Sequence, residues 1–284
     1  MKGYRIESNF WCKKRITIPV DELEEGILNA YKENCDGIYI IPSAKCVQYD
    51  LRLLEMVSNS IKHLSFGEFL SIDKDNNIDG IYNLHHLKSL FLPRKYEEVD
   101  AEKINTLEVL SISLFNIRNI NSLDKLYLLS INALFGKDIT PLLKLPSLTE
   151  LILINTNIET LSGIENINKL KKLEISYNKK LKDISSINKS NIKELKIINC
   201  KNIKNLNALK ENDNLIELYC DKIDNLEFLL FMKRLKTFGF QKLDDGNLSY
   251  ILKSPSIERV RFYPNKKYYT HTQDEINLLL SQKK

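Results

Sequence analysis

The sequence predicts an α/β solenoid, with a parallel β-sheet on a concave face and short 3₁₀ or irregular helical segments on the convex face. Three observations predict it. First, one pattern recurs ten times: an apolar residue, two others, an apolar residue, one other, an apolar residue. Its leading positions are Ile61, Leu87, Leu107, Leu126, Leu148, Leu170, Ile192, Leu215, Leu235 and Ile257, at successive gaps of 26, 20, 19, 22, 22, 22, 23, 20 and 22. A repeat near this period marks a stack of supersecondary units. Second, the last two apolar residues of each copy are spaced by two, the period of a strand with one buried face. Third, the apolar residues after the strand are spaced by three, which suits a tight 3₁₀-like return.

The clearest copy reads Leu148, Leu151, Leu153, Thr156, Ile158, Leu161, Ile164, Ile167. On these residues, positions 61–263, about 70 per cent of the chain, resemble a leucine-rich repeat protein. The nearest type is the bacterial internalin, with its 22-residue L-x-x-L-x-L-x-x-N/T-x-I-x-x-I/L-x-x-L unit. The resemblance implies a horseshoe and a protein-binding concave face. It also implies that Thr156, Asn178 and Cys200 hold the turn after their strands. Asn and Thr can supply hydrogen bonds to backbone leaving regular structure, and Cys does so weakly. Phe115, Leu134 and Ile223 stand at the same place elsewhere, so the ladder is incomplete.

Each element has its own signal. Residues 1–60 read as an N-terminal cap, because a terminal repeat would otherwise expose its core. Arg15 to Ile18 alternates as a strand. Pro19 then precedes a helical segment over 21–34, with Leu23, Ile27, Ala30 and Tyr31 on one face. Cys35, Ile38 and Ile40 suit an eleventh strand. Val47, Leu51, Leu54 and Val57 mark a helix returning before Ile61, which accounts for the long first gap. Residues 61–263 hold about ten repeats, and 264–284 form a C-terminal cap. There Thr272-Gln273-Asp274-Glu275 is a capping-box sequence. It opens a short helix whose Ile276, Leu279 and Leu280 are expected to cover the last repeat.

Composition narrows the class. Hydrophobic residues make up 43% and charged residues 28% of 284 residues, ordinary values for a globular chain. No run of about 18 apolar residues is present, so no membrane span is expected. Met1 to Lys14 carries Lys2, Arg5, Glu7, Lys13 and Lys14 without an uninterrupted apolar core, unlike a signal peptide. The five cysteines, Cys12, Cys35, Cys46, Cys200 and Cys220, are odd in number and lack framework spacing. These features point to a reducing, cytoplasmic location, whereas internalins are secreted or wall-attached. Loss of an export signal from the sequence would give the same reading for a secreted protein.

The exposed strand positions form columns. One column runs His63, Ser89, Val109, Leu128, Glu150, Lys172, Glu194, Glu217, Thr237, Arg259. The next runs Ser65, Phe91, Ser111, Ser130, Ile152, Glu174, Lys196, Tyr219, Gly239, Arg261. Three zones result. Phe91, Val109, Leu128, Ile152 and Ile154 are apolar. Charge alternates through the middle, where neighbouring strands neutralise one another. Arg259, Arg261 and Tyr263 cluster at the far end. Exposed apolar patches mark interaction sites, and aromatic and Arg residues are frequent anchors. The expected partner contacts are therefore Phe91, Val109, Leu128, Ile152 and Ile154, with Tyr219, Arg259, Arg261 and Tyr263 as a second group.

The net charge of +5 is banded. Residues 169–210 hold twelve lysines against Glu174, Asp183 and Glu194, and residues 211–227 hold six acids against Lys222. The lysines fall on both the strand side (Lys172, Lys196) and the return side (Lys179, Lys180, Lys182, Lys201, Lys204), without aromatic interleaving. That argues against nucleic acid as a partner. Chemistry is equally sparse. There is no C-x-x-C, no P-loop, no G-x-G-x-x-G and no G-x-S-x-G. His85 and His86 are adjacent, which on a strand would aim them apart, and nine glycines are too few for a phosphate-cradling loop. Neither a metal nor a cofactor is expected. The function expected is non-catalytic recognition of another protein by a monomer. Its specific forms are an intracellular inhibitor, such as an immunity protein masking a toxin, a cytosolic scaffold or regulator, or a surface adhesin without its export signal.

Overall fold

The computed structural model describes residues 4–44, 48–113, 115–134, 136–203 and 205–283. Lys2, Cys46, Val47 and Lys204 of the sequence reading lie outside the described residues. The chain divides into two compact units, Met1–Asn132 with Leu145–Ser147, and Ala133–Lys144 with Leu148–Lys284.

In the first unit the ladder runs Arg5–Glu7, Arg15–Pro19, Gly37–Ile41, His63–Phe66, Ser89–Phe91, Val109–Ile112 and Leu128–Asn132. Arg5–Glu7 lies antiparallel on Arg15–Pro19, and every later pair is parallel. The parallel ladder thus begins at Arg15, one strand before the Gly37–Ile41 strand that sequence anticipated. Register places Ile38, Leu64, Leu90, Leu110 and Leu129 in one inward column, each fully buried. Burying a Leu or Ile in such a column contributes about 1.5–3 kcal/mol relative to leaving it in water.

The helix between the first two parallel strands spans Leu23–Lys32 after a 3₁₀ turn at Val20–Glu22. Leu23, Gly26, Ile27 and Ala30 are buried, whereas Tyr31 is exposed. The reason is close approach: a β-carbon on Gly26 would sit 2.3 Å from Ile18 Cγ2. The helix rests on its glycine, which turns Tyr31 outward. The next return, Leu51–Val57, is 3₁₀ and buries Leu51, Leu54 and Val57, one per turn.

In the second unit the strands are Glu150–Ile154, Lys172–Ser176, Glu194–Ile198, Glu217–Ile223, Thr237–Leu243 and Arg259–Phe262, all parallel. The inward column here is Leu151, Leu173, Leu195, Leu218, Phe238 and Val260. Short 3₁₀ turns, such as Ile164–Asn166 and Ser185–Lys189, carry the chain back. Asn178, fully buried, accepts from the amides of Lys180 and Leu181, both at 2.8 Å. Cys200 donates weakly to the Ile175 and Ile198 carbonyls at 3.6 and 3.5 Å. Leu134 and Ile223 at equivalent places are buried and apolar, and Phe115, in the first unit, is half-buried.

At the C-terminal end the capping box forms: Thr272 Oγ1 accepts from the Glu275 amide at 3.3 Å, and Glu275 Oε2 from the Thr272 amide at 2.7 Å. The helix Gln273–Ser281 buries Ile276 and Leu280, but Leu279 is exposed. Leu279 lies off the stripe because the helix uses polar side chains to close the sheet edge. Val260 exchanges two hydrogen bonds with the Asn277 carboxamide, at 2.9 and 3.0 Å. The Phe262 amide donates to Gln273 Oε1 at 2.6 Å. The last strand is thereby closed to further pairing where those amides point.

Candidate functional site

On the strand face of the second unit, register places Lys172 between Glu150 and Glu194, and Lys196 beside Glu174. Lys172 Nζ lies 3.8 Å from Glu150 and 3.5 Å from Glu194, and Lys196 Nζ lies 3.6 Å from Glu174. These partly exposed pairs contribute little stability. Their consequence is that the charges satisfy one another. Ile152 and Ile154 are half-buried beside them, opposite Glu174 and Ser176.

Further along the same unit, Tyr219 is half-buried because its ring lies over Gly239, where a β-carbon would sit 2.8 Å from Tyr219 Cδ2. Burial pushes the Tyr219 hydroxyl above its ordinary range against a hydrogen bond from Gln241. Arg259 and Arg261 face Thr237 and Gly239 in register, and both are exposed. Neither makes an ion pair among the described residues. Tyr263 is 83% exposed.

In the first unit, Phe91 and Leu128 are half-buried on the strand face, as their alternation predicts. Val109 is only 2% exposed, and this corrects its reading as a surface contact. It sits between Ser89 and Leu128 in register, with Phe91 on the diagonal. The longer side chains of Leu128 and Phe91 lie beside it on this face.

The strand face of this unit carries a feature the repeat pattern does not contain. The segment before Arg15 folds over the sheet and sets Trp11 against Phe91, ring centroids 6.4 Å apart. Asn9 fixes the turn, since its Oδ1 accepts from the amides of Trp11 and Cys12 at 2.9 and 2.7 Å. Asp36 holds the next stretch of backbone, accepting from the Lys13 and Lys14 amides at 3.1 and 2.8 Å. Cys12 is buried on Gly37, where a β-carbon would come 2.5 Å from Sγ. Beneath Trp11 is a cavity of about 310 Å³, lined on its outward positions by Tyr39, His63, Ser65, Ser89 and Phe91.

Its electrostatics are nearly neutral. Arg15 pairs with Glu7 and lies over the Tyr39 ring, 5.3 Å from its centroid. His63 Nδ1 and Ser89 Oγ are hydrogen-bonded at 2.8 Å. Burial holds the His63 imidazole below its ordinary pKa. The sequence signal for this site was faint: the chain has one tryptophan, beside an Asn two residues earlier, outside every repeat.

Groups suited to other chemistry are dispersed. Among the described residues no cluster of His, Cys, Asp and Glu could hold a metal ion, and no helix is long and apolar enough to cross a membrane. His85 and His86 lie in an exposed turn, not on a strand. Cys200 and Cys220 are buried and free, and burial pushes their thiols up to about 11 and about 12. Such thiols are poor nucleophiles at neutral pH.

Among solved structures, an internalin from Listeria monocytogenes is similar to this chain. The two are 17% identical with a TM-score of 0.58, over 85% of this chain and 71% of that one. A leucine-rich repeat protein of Leptospira interrogans is 13% identical over 85% of this chain and 81% of that one, at a TM-score of 0.36. No protein-family model and no curated protein matches the chain. The fold is a leucine-rich repeat solenoid of the internalin type.

Proposed function

We propose that this leucine-rich repeat protein is a non-catalytic recognition module that binds another protein on its strand face. The observation that carries the reading is the open aromatic pair Trp11 and Phe91 on the strand face of the first unit. Aromatic residues in partly desolvated surroundings are the usual anchors of protein interfaces. Leu128 in the same unit, and Ile152 and Ile154 in the second, add apolar strand-face surface. Tyr219, Arg259, Arg261 and Tyr263 form a second, electrostatic contact group, because their arginines lack ion-pair partners among the described residues. The self-paired band of Lys172 and Lys196 takes no part. Those same pairs weaken the case for nucleic acid, since they occupy the strand-side lysines.

In this reading residues 1–60 and 264–284 serve as caps, the first also contributing Trp11, and 61–263 carry the remaining contacts. The closed edge at Arg259–Phe262 supports a monomer, since it removes a strand edge a second copy would use. The four described cysteines are free and buried, a state suited to a reducing cytoplasm. A cytoplasmic module without chemistry of its own fits an inhibitor that masks a toxin or enzyme.

The test is affinity capture from the native host followed by mass spectrometry. The wild-type chain should retain a defined partner, and a Phe91→Glu, Ile152→Glu variant with unchanged circular dichroism should lose it. Undiminished capture by that variant would remove the apolar strand face from the reading.

A further inference from the structure

We propose that the cavity beneath Trp11 takes one uncharged aromatic group bearing a single hydrogen-bonding atom, a phenol or an indole, presented as a side chain by the bound partner. The proposal rests on the strand face of the first unit being the partner-binding face. A volume of about 310 Å³ lies at the small end of ligand sites and suits one ring rather than a large cofactor. Trp11, Tyr39 and Phe91 supply the aromatic walls. Trp11 and Phe91 are inclined by 59°, so a third ring can meet one by its edge and the other by its face.

The polar lining selects further. His63 makes one hydrogen bond among the described residues, through Nδ1 to Ser89, which leaves Nε2 for a ligand hydroxyl or N–H. Arg15 lines the cavity with its charge set against Glu7 and its face over the Tyr39 ring, and its buried Nε has no hydrogen-bond partner among the described residues. An ammonium group would meet the Arg15 charge and a carboxylate would compete with Glu7 for it, so an uncharged ring is preferred. The cavity is also set before binding: Asn9, Asp36 and Gly37 fix the Trp11 segment, which lowers the ordering cost. The source is a partner chain rather than a free small molecule because of Phe10. It is 90% exposed and packs edge-on against Trp11 at 4.9 Å, outside the cavity. Only a ligand that continues beyond its ring can cover it.

Trp11 is the sole tryptophan of the chain, so indole emission reports on this cavity alone. The intact protein is titrated with p-cresol, the tyrosine side-chain analogue, with excitation at the red edge where the phenol does not absorb. A saturable change in emission is expected, with toluene binding about tenfold more weakly for want of the hydrogen bond. Phe91→Ala and Tyr39→Ala, each with wild-type circular dichroism, should weaken p-cresol about tenfold. No saturable change, or unchanged affinity in both variants, overturns the site. Once a partner is captured, p-cresol should displace it, and binding of p-cresol without competition overturns its assignment to a partner's side chain. The titration needs no partner, so the cavity can fail while capture through the strand face stands, and the reverse.

Discussion

The Asn178 carboxamide donates to the Thr156 hydroxyl across 2.9 Å, one repeat away, and to the Ile158 carbonyl across 3.1 Å. Both side chains are buried. The bond ties successive turns of the second unit together at the point where each strand ends. It acts as a polar ladder inside an apolar core, and every member is satisfied.

Asn178→Ala should therefore be costly. It strands the Lys180 and Leu181 amides and the Ile158 carbonyl, and the expected loss is about 3 kcal/mol of unfolding free energy. Thr156→Val removes one acceptor and should cost about 1 kcal/mol. Urea unfolding of both variants checks this, and similar losses for the two would show that Asn178 does not carry the turn.

Tyr177 offers a stabilising substitution. Ala133, Asn155, Tyr177 and Asn199 follow their strands at intervals of 22 and adopt left-handed backbone, with φ of 70°, 51°, 57° and 53°. Asn tolerates that conformation and a bulky aromatic does not. Tyr177 is exposed, so little burial is lost on replacement. Tyr177→Asn should raise stability by about 1 kcal/mol, seen as a higher urea midpoint at unchanged slope.

His63 predicts a pH dependence in the first unit. Burial lowers its pKa from the ordinary 6.5, with Lys62 and Lys88 acting the same way and Asp36 and Glu108 opposing. The unfolded chain then binds the proton more readily than the native one. The contribution of the neutral imidazole is full above pH 6.5 and declines as pH falls through the lowered native value. His63→Asn should flatten that decline relative to the wild type, measured as unfolding free energy across the acidic range. Parallel curves for the two proteins would refute it.

The candidate surface was legible to different depths. The outward columns of the repeats fell in the predicted register from His63 to Arg259 within each unit, because alternation along a strand fixes which side chains share a face. Alternation does not fix exposure. Val109 points outward and is buried, because exposure depends on the lengths of neighbours one strand away. Asn212 was also missed. Fully buried, it donates to the Ile187 carbonyl at 2.9 Å and accepts from the Asn214 and Leu215 amides, as Asn178 does in its own turn. A lone Asn in a polar-looking loop gives no periodic signal.

The sequence by itself determined the solenoid, its repeat length and the inward and outward sides of its strands. Those properties come from local spacing of apolar residues, which any stack of such units must bury. Only the tertiary structure decided where Trp11 goes. Its placement over Phe91 depends on Asp36 and Gly37 meeting the Cys12 to Lys14 backbone segment from more than twenty residues away, and contacts between residues so far apart leave no period to read.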